Sequence, residues 1–176
     1  VVAACHADKR VLVAHVGDSR CYAFRDSKLE QVTEDHSLLN DFRRSLNLTP
    51  EEEKNFPHKN IIVRALGMKL SVEVDLTILE PRSGDSFLLC SDGLSGELED
   101  KEIEAVLQQE VSVMKAVQRL VRLANKNGGK DNITAILMRF HENEYPGYDD
   151  LTEELTREIS DEVTHVDPTP DEPDDE

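Results

Sequence analysis

The sequence predicts an α+β fold of antiparallel strands with segregated helices. Two observations carry this. The first thirty-three residues hold four short runs rich in Val, Tyr and Phe, separated by tight polar turns. Strands spaced that closely pair as antiparallel hairpins. Two amphipathic helical stretches then follow each other between an apolar run at 85–90 and a last strand at 132–140, and such grouping separates helices from strands.

The strand-like runs are Val1–Ala7, Arg10–Val16, Arg20–Phe24 and Leu29–Thr33, with turns at Asp8-Lys9, Gly17-Asp18 and Asp26-Ser27. From His36 the period changes, and Leu38, Leu39, Phe42 and Leu46 fit one helical face. Thr49-Pro50-Glu51-Glu52-Glu53 reads as a helix start, with Thr49 as cap, Pro at the first position and acid in the first turn. Val72–Leu79 alternates Val72, Val74, Leu76 and Ile78 with polar residues, which predicts one buried face. Asp85–Cys90 is a continuous apolar run and reads as a central strand. Asp100 is the expected cap of a helix that turns Ile103, Val106 and Leu107 inward. Ser112 is the expected cap of a second, with a stripe of Val113, Val117, Leu120, Val121 and Ala124. Gly128-Gly129 ends that helix through a left-handed turn.

The 176 residues carry a formal charge of −17. Residues 141–176 hold fifteen acids against one Arg, so the first 140 residues account for only −3. The acidity therefore belongs to a tail. Thr152–Val163 has a weak helical pattern, and Asp167–Glu176 is Pro- and acid-rich and expected to be disordered. Such a balance excludes a nucleic-acid-binding protein, which needs a basic footprint. Cys5, Cys21 and Cys90 lie in apolar runs without CxxC spacing and are read as small buried hydrophobes in a reducing cytoplasm. No apolar stretch is long enough to span a bilayer.

Three Asp-containing turns end apolar β-like runs: Val16-Gly17-Asp18-Ser19-Arg20, Cys90-Ser91-Asp92-Gly93-Leu94 and Gly129-Lys130-Asp131-Asn132-Ile133-Thr134. Each sets a carboxylate beside a Gly, or two residues from one, where backbone can approach a ligand closely. Carboxylates gathered at strand ends are held by basic side chains or by hard cations such as Mg²⁺ and Mn²⁺. Each turn alone has a plainer reading. Asp18 serves as an ordinary hairpin residue, Asp92 caps the following helical turn, and Asp131 caps its strand entry.

Taken in order, and with Thr33-Glu34-Asp35-His36-Ser37 and Ile61-Ile62-Val63-Arg64-Ala65-Leu66-Gly67 between them, the turns resemble the later motifs of the PPM/PP2C family of metal-dependent protein serine/threonine phosphatases, its compact bacterial members above all. The resemblance implies two stacked antiparallel β-sheets flanked by helices. It makes residues 1–140 the C-terminal part of a phosphatase domain, with a flap-like segment at about 40–60 and residues 141–176 as a linker or tail. The family's earlier Asp-Gly-x-Gly-Gly turn, which supplies the bridging Asp, does not occur in this sequence, so the domain is expected to be incomplete at its N-terminus.

By the same resemblance, Asp92 and Asp131 match ligands of the second catalytic metal, and Asp18 a ligand of a third metal shared with Asp92. Gly93 is the small neighbour that lets the Asp92 turn form, and Asn132 steadies its own turn. Arg20 and Arg64 are partners of buried carboxylates, and His36 is a capping or supporting residue at the flap. The implied cofactors are two Mn²⁺ or Mg²⁺ ions, three in some members. The implied reaction is hydrolysis of phosphoserine and phosphothreonine by metal-activated water, opposing a cytoplasmic Ser/Thr kinase in bacterial signalling. The chain alone is expected to be weakly active or inactive. The alternative is a non-catalytic relative that uses the fold as a regulatory or interaction module.

Overall fold

A computed structural model of the chain describes residues 1–7, 9–46, 52, 56 and 61–141, the side chains of 44–46 excepted. The chain divides into two units, Val1–His141 and Glu142–Glu176. The second lies outside the described residues, as do the expected helix start at 49–53, apart from Glu52, and the expected tail helix.

The first unit contains seven strands and four helices among its described residues. They are β1 (Val2–Ala7), β2 (Arg10–His15), β3 (Arg20–Arg25), β4 (Lys28–Gln31), α1 (Leu38–Leu46), β5 (Asp75–Leu79), β6 (Ser86–Cys90), α2 (Asp92–Ser95), α3 (Asp100–Gln109), α4 (Val113–Asn127) and β7 (Ala135–Arg139). All ladders are antiparallel. One sheet has the order β1-β2-β5 and the other β4-β3-β6-β7. The fold is α+β with two antiparallel sheets and helices, as expected.

Period-two alternation splits each strand between two cores. Val11 and Val13 of β2 meet Cys21 of β3 and Phe87 and Leu89 of β6 in the layer between the sheets. Tyr22, Leu88 and Cys90 face the other way, onto Ile103, Val106 and Leu107 of α3 and Ala116, Leu120 and Ala124 of α4. All five residues of β6 are buried because both its faces are covered, which explains the apolar run Phe87–Cys90.

The structure corrects four expectations. In β5 the apolar residues are outside: Leu76 is 64% exposed and Ile78 60%. Asp75, Thr77 and Leu79 take the half-buried inward face, and the described residues put no layer over the other face. The strand also starts at Asp75, three residues late, because its ladder ends where His15 closes β2. Cys5 is exposed on β1, while Cys21 and Cys90 are buried. Glu99, not Asp100, is the N-cap of α3. Its side chain accepts from the Glu102 backbone, and the Glu102 carboxylate accepts from the Glu99 N–H at 2.9 Å, a reciprocal capping box. Ser112 does cap α4 by accepting from Lys115 N–H, and Gly129, with φ +56°, ends it.

Candidate functional site

The chain crosses from one sheet to the other between β2 and β3, and Asp18 lies on that crossing. The turn works because Gly17 adopts φ +106°, a region that residues with a Cβ avoid. Both backbone groups of Gly17 go to His36. The Gly17 N–H donates to His36 Nδ1 at 3.0 Å, and the Gly17 carbonyl accepts from the His36 N–H at 2.8 Å. Because Nδ1 accepts, Nε2 carries the proton and donates to Asp75 Oδ2 at 3.1 Å. Asp75 also pairs with Arg64 at 2.5 Å. Burial disfavours the Asp75 carboxylate, but bonds from His36 and Arg64 outweigh this and hold its pKa below the usual range.

Arg20 opens β3 and forms a fork on Asp35, with contacts of 2.9, 3.1 and 2.7 Å. Its remaining nitrogen donates to Tyr22 Oη, which donates to Asp100 Oδ1 at 3.1 Å. Burial works against the guanidinium charge, and the bonds it donates to Asp35 more than restore it, so its pKa is raised.

Asp92 and Asp131 stand at the ends of neighbouring strands β6 and β7. Gly93 is required there by a close approach: a Cβ on it would sit 2.4 Å from the Asn132 carbonyl oxygen and 3.2 Å from that of Asp131. Ser91 fastens the two turns together. Its Oγ donates to the Asn132 carbonyl at 2.9 Å and accepts from Thr134 N–H at 3.0 Å, and its N–H donates to the Thr134 carbonyl at 3.1 Å. Asp92 Oδ1 accepts from Gly93 N–H at 3.0 Å, and Asp131 Oδ1 from Asn132 N–H at 2.7 Å. Both carboxylates are exposed.

Asp18 and Asp92 line one groove of about 840 Å³, together with Arg20, Asp35, Asn40 and Arg43. Burial, and then the charge of Asp92, push the Asp18 carboxyl above its usual pKa. An acid whose ionisation is made costlier by a second carboxylate on the same polar groove fits a shared hard cation, which would relieve that repulsion. Asp131 is not part of the groove lining, and among the described residues no three His, Cys, Asp or Glu side chains converge as a metal-holding group. The donor set present therefore fits one cation between Asp18 and Asp92, with Asp131 on the adjoining turn.

Three contributors escape a reading of the sequence. Asp35 sits within the Thr33–Ser37 segment but gives no sign there of its pairing with Arg20. Asp75 looks like an outward residue of an alternating strand, and only its register opposite His15 brings it to the site. His15 is buried, with its ring centroid 4.5 Å from that of His36. Neither of its nitrogens has a hydrogen-bond partner among the described residues. Burial first, and His36 second, lower its pKa, so it is neutral.

Comparison with known proteins gives this geometry a context. The protein phosphatase 2C family model matches residues 1–138. The serine/threonine phosphatase stp of Listeria welshimeri is 41% identical over 138 residues, 78% of this chain and 55% of the relative. The crystal structure of the Mycobacterium tuberculosis serine/threonine phosphatase PstP/Ppp superposes with a TM-score of 0.74 at 38% identity, covering 80% of this chain and 59% of that one. A structure of the PstP catalytic domain in complex with two manganese ions gives a TM-score of 0.70 at 38% identity, covering 80% of this chain and 58% of that one. The chain thus spans somewhat more than half the length of these relatives.

Proposed function

Because this chain belongs to the protein phosphatase 2C family, we propose that it carries part of the active centre of a metal-dependent phosphatase acting on phosphoserine and phosphothreonine in proteins. The observation that carries this is the electrostatic coupling of Asp18 and Asp92 across one groove, beside a turn that Gly93 and Ser91 lock to Asp131. In this reading residues 1–140 are the catalytic part, with the segment at about 40–60 as its flap, and residues 141–176 a linker. Asp18, Asp92 and Asp131 are the metal ligands, and the protein works in the cytoplasm against a Ser/Thr kinase.

Bound Mn²⁺ or Mg²⁺ would supply an activated water and neutralise charge on the phosphoryl oxygens. The chain's own residues hold and orient. Asp18 and Asp92 offer hard oxygens to one groove, and the Arg20–Asp35 fork keeps the guanidinium occupied so that it does not neutralise Asp18 by itself. With no three donors converging as a metal cage among the described residues, the chain as given hydrolyses phosphoesters weakly. That same donor count supports the second reading, a non-catalytic module.

The test is Mn²⁺-dependent hydrolysis of para-nitrophenyl phosphate by the chain and by its Asp92→Ala and Asp131→Ala variants. A slow, Mn²⁺-dependent rate that both substitutions abolish supports the enzyme. A rate indifferent to Mn²⁺ or to both substitutions removes it, and no rate at any Mn²⁺ concentration favours the module.

A further inference from the structure

We infer that His36 is a positioning residue for Asp18: by holding the Gly17 peptide from both sides, it sets how tightly Asp18 and Asp92 share a divalent cation. This rests on the cation-binding reading above and assigns its control to a residue that touches neither carboxylate.

The geometry is that of a strut. Gly17 is buried, with φ +106°, and both of its backbone hydrogen-bonding groups end on one residue. The direction in which the chain leaves Gly17 is the direction in which Asp18 enters the groove. His36 is itself fixed from three sides. Its ring packs at a tilt of 46° against His15, Nε2 is tied to Asp75 on β5, and its carbonyl accepts from Val63 N–H at 2.9 Å. The residue after it, Ser37, bridges to Ile62. The strut therefore joins the Asp18 turn to β5 of the three-stranded sheet and to segment 61–64, which follows α1 in the chain. Arg64 reaches the same assembly through Asp75. Outer residues that orient the ligands of a cation typically alter its affinity by about 10–100-fold when replaced.

Two substitutions separate the halves of the strut. In His36→Asn the amide oxygen stands where Nδ1 stood and can still accept from Gly17 N–H, while the reach to Asp75 is lost. In His36→Gln the side chain reaches toward Asp75 and nothing remains at the Nδ1 position. Each chain is titrated with Mn²⁺, following the free ion by electron paramagnetic resonance, and Gly17 amide exchange is followed by NMR.

The expected result is about a tenfold weaker Mn²⁺ affinity for His36→Gln, with faster exchange at Gly17. His36→Asn should stay within about twofold of the parent in affinity, with Gly17 still protected. Should His36→Gln not fold, Asp75→Ala reports instead, since that side chain is 41% exposed. It removes the same tie that His36→Asn removes and leaves Nδ1 on Gly17. Mn²⁺ affinity should therefore stay within about twofold with Gly17 protected, and a loss of about tenfold with Gly17 still protected would overturn the inference. The inference is overturned if Gly17 becomes exposed while Mn²⁺ affinity holds, or if both His36 variants weaken binding equally. The underlying reading fails separately, by Mn²⁺ binding that Asp92→Ala leaves unchanged.

Discussion

Replacing Gly93 with Ala tests whether the Asp92 and Asp131 turns are pressed together as described. The added methyl would stand 2.4 Å from the Asn132 carbonyl oxygen, 2.8 Å from its carbon and 3.2 Å from the Asp131 carbonyl oxygen. These are backbone atoms, so no side chain can swing away. Nor can the 131–134 segment retreat without breaking its three bonds to Ser91. Overpacking of this kind costs about 1–3 kcal/mol, and loss of one of the Ser91 bonds adds about 1 kcal/mol. A total of about 2–4 kcal/mol corresponds to a fall in Tm of about 4–16 °C for a unit of this size. Thermal unfolding followed by circular dichroism reads it directly. The second readout is Mn²⁺ binding, which should weaken because Asp92 and Asp131 are driven apart. A Gly93→Ala chain that melts within about 2 °C of the parent and binds Mn²⁺ equally would refute the close approach.

Three further outcomes follow from the charges and thiols. Asp85 is buried, yet bonds from Arg25 at 2.6–3.1 Å and from Arg82 N–H at 2.7 Å overcome that burial and lower its pKa. A lowered carboxyl stabilises the fold above its unfolded value and loses that contribution as pH falls through the folded one. Urea midpoints should therefore drop below about pH 4, and Asp85→Asn should flatten the drop while reducing stability at pH 7 by about 1–2 kcal/mol. Asp18 runs the opposite way. Its raised carboxyl opposes folding while ionised, so Asp18→Asn should raise the metal-free urea midpoint at pH 7, and a lower midpoint would contradict the burial described. Among the thiols, Cys5 is exposed, whereas burial pushes Cys21 and Cys90 up to about 12. A disulfide reagent at pH 8 should titrate one thiol in the native chain and three after denaturation, and three at once would place Cys21 or Cys90 wrongly.

How much of this was legible in the sequence depended on the range of the interactions. The strands at 10–15 and 20–25, the central run at 86–90 and the helix from Ser112 were readable because their signals are local: period, turn residues and caps. The outward face of β5 was not. Alternation shows that a strand has two faces, but a partner layer decides which one is buried, and that layer is not encoded in the strand itself. The Glu99 cap was missed because Glu99 and Asp100 are adjacent acids, and only the reciprocal bond with Glu102 separates them. At the site, the Asp turns were visible as Gly-flanked carboxylates. Asp35 and Asp75 were not, because a partner for Arg20 fifteen residues away and one for His36 thirty-nine residues away are set by sheet register.

That register is also why the candidate site responds to the core beneath it. Asp18 lies on the crossing from the three-stranded to the four-stranded sheet, and Asp75, which steadies its turn, belongs to the first. Asp92 and Asp131 belong to the ends of β6 and β7 in the second. The groove between Asp18 and Asp92 therefore spans a seam whose spacing is set by Val11, Val13, Cys21, Phe87 and Leu89. A close-packed interior transmits a lost methylene as a shift instead of absorbing it. A change at Phe87, which lies in that core, should therefore alter cation affinity as well as stability. A change of similar volume at Leu107, in the layer between the four-stranded sheet and its helices, should alter stability alone. Comparing Mn²⁺ affinities of Phe87→Leu and Leu107→Val chains decides it, and equal affinities in the two would mean that the seam does not set the spacing of the carboxylates.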